Sequence, residues 1–253
     1  MNFSSDTLDK QVDFLLRDIS HPEDTSKERY KKLMKVLEYD KYIPDNTTLK
    51  PENNNYFNPA LDYVLSNMKW CKKGWKSNNT LKNFLSQYPE YVPSNKAIEY
   101  LCSNTKDILE IGAGSGYWSY VINNNGGSCK PTDSNPKNIL YSIETDSYPV
   151  TEISEDFSTT VWCEIEKGKH TIIPDYPNHD ILFCHPEGLP WTEEVLELMN
   201  SSQQLILIAG WYPSPNATPF FFKKLIDNWK LKEKLPVHSS SSSHACMYVF
   251  QKN

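Results

Sequence analysis

Gly112, Gly114 and Gly116 alternate in the stretch DILEIGAGSGYWSYVI, residues 107–122, with Glu110 two positions before the first of them. Glycine has no Cβ, so it takes positive φ at little cost and lets a ligand lie against the backbone. A strand that breaks into such a turn and then opens a helix presents N–H groups and the positive helix end, which suits a negatively charged or polar ligand. Spacing sets two ligand classes aside. A dinucleotide fingerprint, G-x-G-x-x-G, needs a small residue at its third glycine position for close helix packing. Counted from Gly112, that position is the bulky Tyr117. A phosphate loop needs a lysine after its glycines, and none follows here. A tight strand–helix connection without any ligand remains open.

Other residues could do chemistry further along. CHPEGLPW, residues 184–191, brings together Cys184, His185, Glu187 and Trp191 after an apolar run. Histidine is the side-chain type suited to acid–base work near neutral pH, which makes His185 the candidate base; Glu187 could orient it or meet a cationic substrate. A surface loop whose His and Glu face water is the competing reading. KWCKKGWK, residues 69–76, interleaves Lys69, Lys72, Lys73 and Lys76 with two tryptophans. Base stacking plus positive charge is how single-stranded nucleic acid is held, but lysines also close the last turn of a helix ending at Gly74. The six cysteines form no C-x-x-C pair, so no metal site is expected.

The elements around these residues follow from periodicity. Residues 6–20 and 22–39 carry apolar residues at helical spacing, 40–59 is an Asn- and Pro-rich loop, and further helices are expected from Ala60 to Lys72 and near 80–87. Ser94 is the expected N-cap of a helix over 93–102. From Asp107 strands and helices alternate: strands at 107–111, 128–133, within 159–166, 180–184 and 203–209, and helices at 117–124, 192–200 and 218–229. That alternation implies βαβ units and a mostly parallel sheet covered on both faces. The end of the chain reads as two strands joined by a serine-rich loop, which makes one strand antiparallel.

The chain has 253 residues, 38% of them hydrophobic, and a formal net charge of −6. That suffices for one large domain or a main domain with an extension, and the acidic balance creates no global field for nucleic acid or anionic lipid. The longest apolar run near the C-terminal half, LILIAGWY, is too short to span a bilayer. A soluble, cytoplasmic protein with no membrane partner is expected. Oligomeric state is not legible.

The form E-x-G-x-G-x-G on a first strand resembles motif I of the class I S-adenosylmethionine-dependent methyltransferases. The stretches YVPSNKAIEYL, ILEIGAGSGYWSYVINNNGG, DILFCHPEGLPW and LILIAGWYPSPNATPFFFKKLIDNW, spread over roughly residues 88–250, are also similar to one methyltransferase-like family of microbes and fungi. That family carries Trp-Pro-Pro after its fourth strand and Gly-Glu-Trp after its fifth. This chain has His185-Pro186-Glu187 and Ala209-Gly210-Trp211 there, which puts a shared substrate or activity in question. The resemblance implies a doubly wound, mostly parallel seven-stranded α/β sheet with a terminal antiparallel strand, covering 105–253 and preceded by a helical region over 1–104 that shapes the substrate pocket. It implies S-adenosylmethionine as cofactor, held by Glu110, Gly112, Ala113, Gly114 and Gly116. Asp133, ending the second strand, would accept hydrogen bonds from the ribose hydroxyls, and Tyr117 and Trp118, opening the first helix, would also touch the cofactor, with Trp118 equally readable as core. The implied partner is a methyl acceptor, whether small molecule, protein or RNA. A degenerate domain that binds a partner without turnover is the non-enzymatic alternative.

Overall fold

The computed structural model describes residues 55–66, 87–134, 160–186, 191–210, 217, 219–239 and 245–253. The helices expected at 6–20 and 22–39, all but Gln87 of the one expected near 80–87, the lysines of KWCKKGWK, Glu187, Trp211 and the serines at 240–243 lie outside the described residues.

Helix α1 (Pro59–Ser66) starts as its sequence dictates. Asn58 caps it by accepting the Leu61 N–H at 3.2 Å, and Pro59 fills the first helical position, where its missing N–H costs nothing. A two-residue strand β1 (Tyr91–Val92) leads into α2 (Asn95–Asn104). The Ser94 cap is in place: its Oγ accepts the Ala97 N–H at 3.2 Å and donates to the Pro236 carbonyl at 2.6 Å. One hydroxyl therefore starts a helix and ties it to the far end of the chain.

The βα alternation then follows: β2 (Ile108–Ile111), α3 (Tyr117–Asn124), β3 (Cys129–Asp133), β4 (Glu166–Lys167), a short 3-10 helix (His170–Asp175), β5 (Asp180–Cys184), α4 (Trp191–Leu198), β6 (Gln204–Gly210), α5 (Pro219–Asn228), β7 (Trp229–Pro236), β8 (His238–Ser239) and β9 (Ala245–Lys252). Seven strands form one sheet in the order β4-β3-β2-β5-β6-β9-β7. The neighbours from β4 to β6 run parallel, and β9 is antiparallel to both β6 and β7. Strands β2, β5 and β6 are apolar almost throughout because both of their faces are covered. On one face Leu109, Ile111, Ile181, Phe183, Leu205 and Leu207 pack against α4 and α5. On the other, Ile108, Leu182, Ile206 and Ile208 meet Ala97, Leu101, Trp118 and Ile122 of α2 and α3.

Two features depart from the sequence reading. β4 touches the expected third strand, 159–166, only at Glu166. The residues before it spend their bonds on the glycine turn instead of a ladder: the Trp162 N–H donates to the Ser115 carbonyl at 2.9 Å, and Cys163 Sγ to that of Gly116 at 3.3 Å. Separately, β1 pairs antiparallel with β8 through Tyr91–Ser239 and Val92–His238, a ladder too short to leave a periodic signal. Among the described residues no helix is long and apolar enough to cross a membrane.

Candidate functional site

Strands β3 and β4 lie on one side of β2, and β6, β9 and β7 lie beyond β5. The chain direction through the sheet therefore reverses between β2 and β5, and a doubly wound sheet opens a ligand crevice at the carboxyl ends of such a pair.

The turn that leaves β2 is built for that crevice. Gly112, Gly114 and Gly116 have φ of 69°, 53° and 72°, a left-handed backbone that costs other residues about 1–2 kcal/mol each. A Cβ placed on Gly112 or Gly114 would meet nothing within 4 Å, so the turn is open on that side. Gly116 is different: a Cβ there would lie 2.7 Å from Cys163 Sγ, so this glycine also serves close packing. The end of β3 is laced to the turn. The Ala113 N–H donates to the Thr132 carbonyl at 3.0 Å, Thr132 Oγ1 to the Glu110 carbonyl at 2.8 Å, and the Gly114 N–H to Asp133 Oδ2 at 3.0 Å. Asp133 thus stands at the turn, nineteen residues on in sequence but directly beside it in the sheet.

Glu110 is buried, 1% exposed, on the face of β2 turned toward α3. Its Oε2 accepts the Ser119 N–H at 3.1 Å and the Ser119 Oγ–H at 2.5 Å. Burial pushes its carboxyl up to about 7, with the two Ser119 hydrogen bonds opposing and the nearby Asp133 charge adding to the rise.

The side chains of Tyr117 and Trp118 are in the core, not on the open side of the turn. Tyr117 donates its hydroxyl proton to Asn58 Oδ1 at 2.7 Å and accepts the Ala60 N–H at 2.9 Å. Trp118 donates its ring N–H to the Tyr91 carbonyl at 3.0 Å. These two aromatics anchor the N-terminal elements to α3. Ala113 is likewise buried, and its N–H is spent on β3.

A cleft of about 310 Å³ opens beside the turn, lined by Ile111, Gly112, Ser134, Gly168, Lys169, His170 and Trp191. Its volume falls at the lower end of the range for small-molecule sites. Gly168 is tied to the turn's neighbour, donating its N–H to the Asp133 carbonyl at 2.9 Å. His170 Nε2 lies 2.6 Å from Glu194 Oε2, and the His170 ring stacks on Trp191 at 5.9 Å and 25°. Gly168, Lys169 and His170 were not singled out from sequence. Only the position of Gly168, just past a strand end, could have flagged them.

His185 directly follows β5 and has φ of 52°, the one described non-glycine residue with positive φ. Its N–H donates to the Ile208 carbonyl at 2.9 Å, and its ring lies 5.2 Å from that of Tyr91. It is absent from the described lining of the cleft. No group of three or more His, Cys, Asp or Glu able to hold a metal occurs among the described residues.

The strand order places two parallel strands outward from β2 on one side, and on the other an antiparallel strand slotted next to the edge. It is the arrangement that the resemblance to the class I methyltransferases implies, a doubly wound sheet with one antiparallel strand. No family model matches the chain, and no curated protein matches its sequence. Solved structures similar to it include a ribosomal protein L11 methylase from Lactobacillus delbrueckii subsp. bulgaricus, at 11% identity over 62% of this chain and 74% of that one, with a TM-score of 0.35. A precorrin-6y C5,15-methyltransferase from Geobacter metallireducens shares 13% identity over 67% of this chain and 94% of its own, with a TM-score of 0.38. A mutant of the protein MtNAS in complex with S-adenosylmethionine shares 10% identity over 98% of this chain and 89% of its own, also at 0.38. All three likenesses are distant in sequence and in backbone.

Proposed function

We propose that this chain is a methyltransferase that takes its methyl group from S-adenosylmethionine. The observation that carries the reading is the left-handed glycine turn, open over Gly112 and Gly114 and closed from below by the Asp133 carboxylate. An open backbone beside a carboxylate fits a zwitterionic amino acid joined to a ribose. Gly112 and Gly114 would lie along the amino-acid portion, where a side chain would collide with it. A carboxylate can accept at both of its oxygens, and Asp133 would take the ribose hydroxyls. Trp191 and His170, stacked at the cleft, offer flat surface to a base.

The bound sulfonium supplies an activated methyl group; the chain's residues have to hold it in line with an acceptor and exclude water. An acceptor that must lose a proton needs a base within reach. His185 is that candidate, placed at the end of β5 by a backbone conformation that is costly unless the surroundings enforce it. Glu187 belongs to the same proposal as its partner or as a contact for the acceptor. The region before residue 105 is proposed as a cap that shapes the acceptor site. The acceptor's own chemistry stays open, and a nucleic-acid acceptor would engage Lys69, Lys72, Lys73 and Lys76. A cytoplasmic location goes with the reading.

Titration calorimetry with S-adenosylhomocysteine tests it. Saturable binding to the intact protein is expected, weakened roughly ten- to a hundredfold in Asp133→Asn, which keeps an acceptor for the Gly114 N–H but loses the charge-assisted bonds. A folded protein that gives no heat and no thermal shift would overturn the proposal.

A further inference from the structure

Strand β1 brings Tyr91 to the carboxyl end of β5, where its ring lies 5.2 Å from that of His185. Tyr91 is 1% exposed. The Trp118 ring N–H holds its carbonyl at 3.0 Å, and the pairing with Ser239 fixes its backbone from the other side. It is therefore a buried seat for the imidazole, not a surface that a ligand can reach. His185 itself is half-buried, and so is Glu90, the residue directly before Tyr91. Burial raises the thiol of Cys184, the residue before His185, and the nearby Glu110 and Glu90 charges raise it further. Glu90 thus comes within electrostatic reach of the end of β5, and the charges acting there are acidic. In sequence Glu187 adds another acid two positions past His185. A carboxylate and an imidazole from distant parts of the chain are brought to the end of β5, on the crevice between β2 and β5. Acidic charge at that place repels an anionic acceptor, does little for a neutral alcohol and holds an ammonium.

We propose that the methyl acceptor is an amine, held as its ammonium by Glu90 and deprotonated by His185. The inference rests on the methyltransferase reading and adds the acceptor class that reading lacks. An aliphatic amine is protonated near neutral pH and then has no lone pair to attack with, so it needs one group for its charge and another for its proton. A ring nitrogen of His185 takes one proton from the ammonium. The freed lone pair attacks the methyl carbon, the nitrogen–carbon bond forms, and the electron pair of the breaking carbon–sulfur bond returns to sulfur. The product leaves as the N-methylammonium, and His185 passes its proton to solvent. Tyr91 touches none of the reacting atoms; it is a positioning residue for His185.

The test incubates the intact protein with methyl-labelled S-adenosylmethionine and, separately, size-matched mixtures of primary and secondary amines, of alcohols and phenols, and of carboxylic acids, with a lysine-rich peptide as a further arm. Label is expected in the amines, or in the peptide where the amine belongs to a protein side chain. Label confined to the alcohols, phenols or acids, or label in no arm from a protein that binds S-adenosylhomocysteine, would overturn the proposal. Saturation-transfer NMR on the S-adenosylhomocysteine complex reads acceptor binding without turnover, and the same preference for amines is expected there. Glu90→Gln is expected to raise the KM for the labelled amine about tenfold with kcat changed far less, and Glu90→Asp to recover part of it. His185→Asn, whose asparagine tolerates the left-handed backbone, is expected to lower kcat instead. A Glu90→Gln protein that methylates the amine with the wild-type KM would overturn the proposal. Unchanged S-adenosylhomocysteine affinity shows that each variant is folded; should Glu90→Gln not fold, the mixtures decide alone. Absence of S-adenosylhomocysteine binding by the wild type would instead overturn the methyltransferase reading itself.

Discussion

Alanine substitutions at Gly112 and Gly116 separate two costs that the glycine turn combines. Both residues are left-handed, with φ of 69° and 72°, so each alanine incurs about 1–2 kcal/mol of backbone strain. Gly112 has nothing within 4 Å of the new Cβ, and its cost ends there. At Gly116 the Cβ meets Cys163 Sγ at 2.7 Å and two carbons of the Ile165 side chain at 3.3 Å. Overpacking of that kind adds about 1–3 kcal/mol, for a total of about 2–5 kcal/mol. Urea unfolding followed by tryptophan fluorescence reads the difference as a shift in midpoint. Adding Cys163→Ala removes the closest atom, so a double-mutant cycle between Gly116→Ala and Cys163→Ala is expected to show favourable coupling of about 1–3 kcal/mol. The same cycle with Gly112→Ala is expected to show none. Gly112→Ala is also expected to abolish S-adenosylhomocysteine binding at its small stability cost, because its Cβ occupies the open side of the turn. Equal destabilisation at the two glycines, or no coupling to Cys163, would refute the assignment of one to ligand space and the other to packing.

Further outcomes concern pH and the core. His238 Nε2 is buried with no hydrogen-bond partner among the described residues, and burial lowers its pKa to about 4. The unfolded chain takes up this proton below about pH 6.5 while the native state does not, so stability falls as pH drops from about 6.5 to about 4, by about 3 kcal/mol at most. His238→Gln is expected to flatten that slope in urea midpoints measured across the range. Glu110 acts with the opposite sign: the native state keeps a proton up to about 7 that the unfolded chain loses near 4.5. Its contribution therefore falls as pH rises through that window, and Glu110→Gln is expected to be more stable than wild type at neutral pH. The two slopes oppose each other between about pH 4.5 and about pH 6.5, so only the single variants expose them. Tyr117→Phe leaves Asn58 Oδ1 and the Ala60 N–H short of one partner each, costing about 1–3 kcal/mol in thermal or urea unfolding. Ligand affinity should not change in that variant, and a loss would contradict the core placement of Tyr117.

The elements legible in the sequence are those whose signal is local. β2, β5 and β6 announce themselves as apolar runs because the sheet covers both their faces, and α3 starts where Gly116 allows the chain to turn. Gly112, Gly114 and Asp133 were likewise readable, since a turn needing positive φ and a strand-ending acid are both written in residue type. What was not readable depends on pairings across the fold. β1 and β8 make two residue pairs between positions nearly 150 residues apart, and no periodicity can encode that. The direction of Tyr117 and Trp118 was equally hidden: the opening of a helix beside a ligand turn faces both the crevice and the core, and Asn58 and Tyr91 decide between them. His170 meets Trp191 and Glu194 only because the 3-10 helix packs on α4. The burial of Glu110 against Ser119 is of the same kind, an acid whose position could be read but whose surroundings could not.

A crystal structure of the protein soaked with S-adenosylhomocysteine tests the central claim most directly. Density is expected with the amino-acid portion along Gly112 and Gly114, the ribose hydroxyls on Asp133, and the adenine in the cleft beside His170 and Trp191. Clear density for the ligand elsewhere, or an ordered and empty glycine turn at saturating concentration, would contradict it.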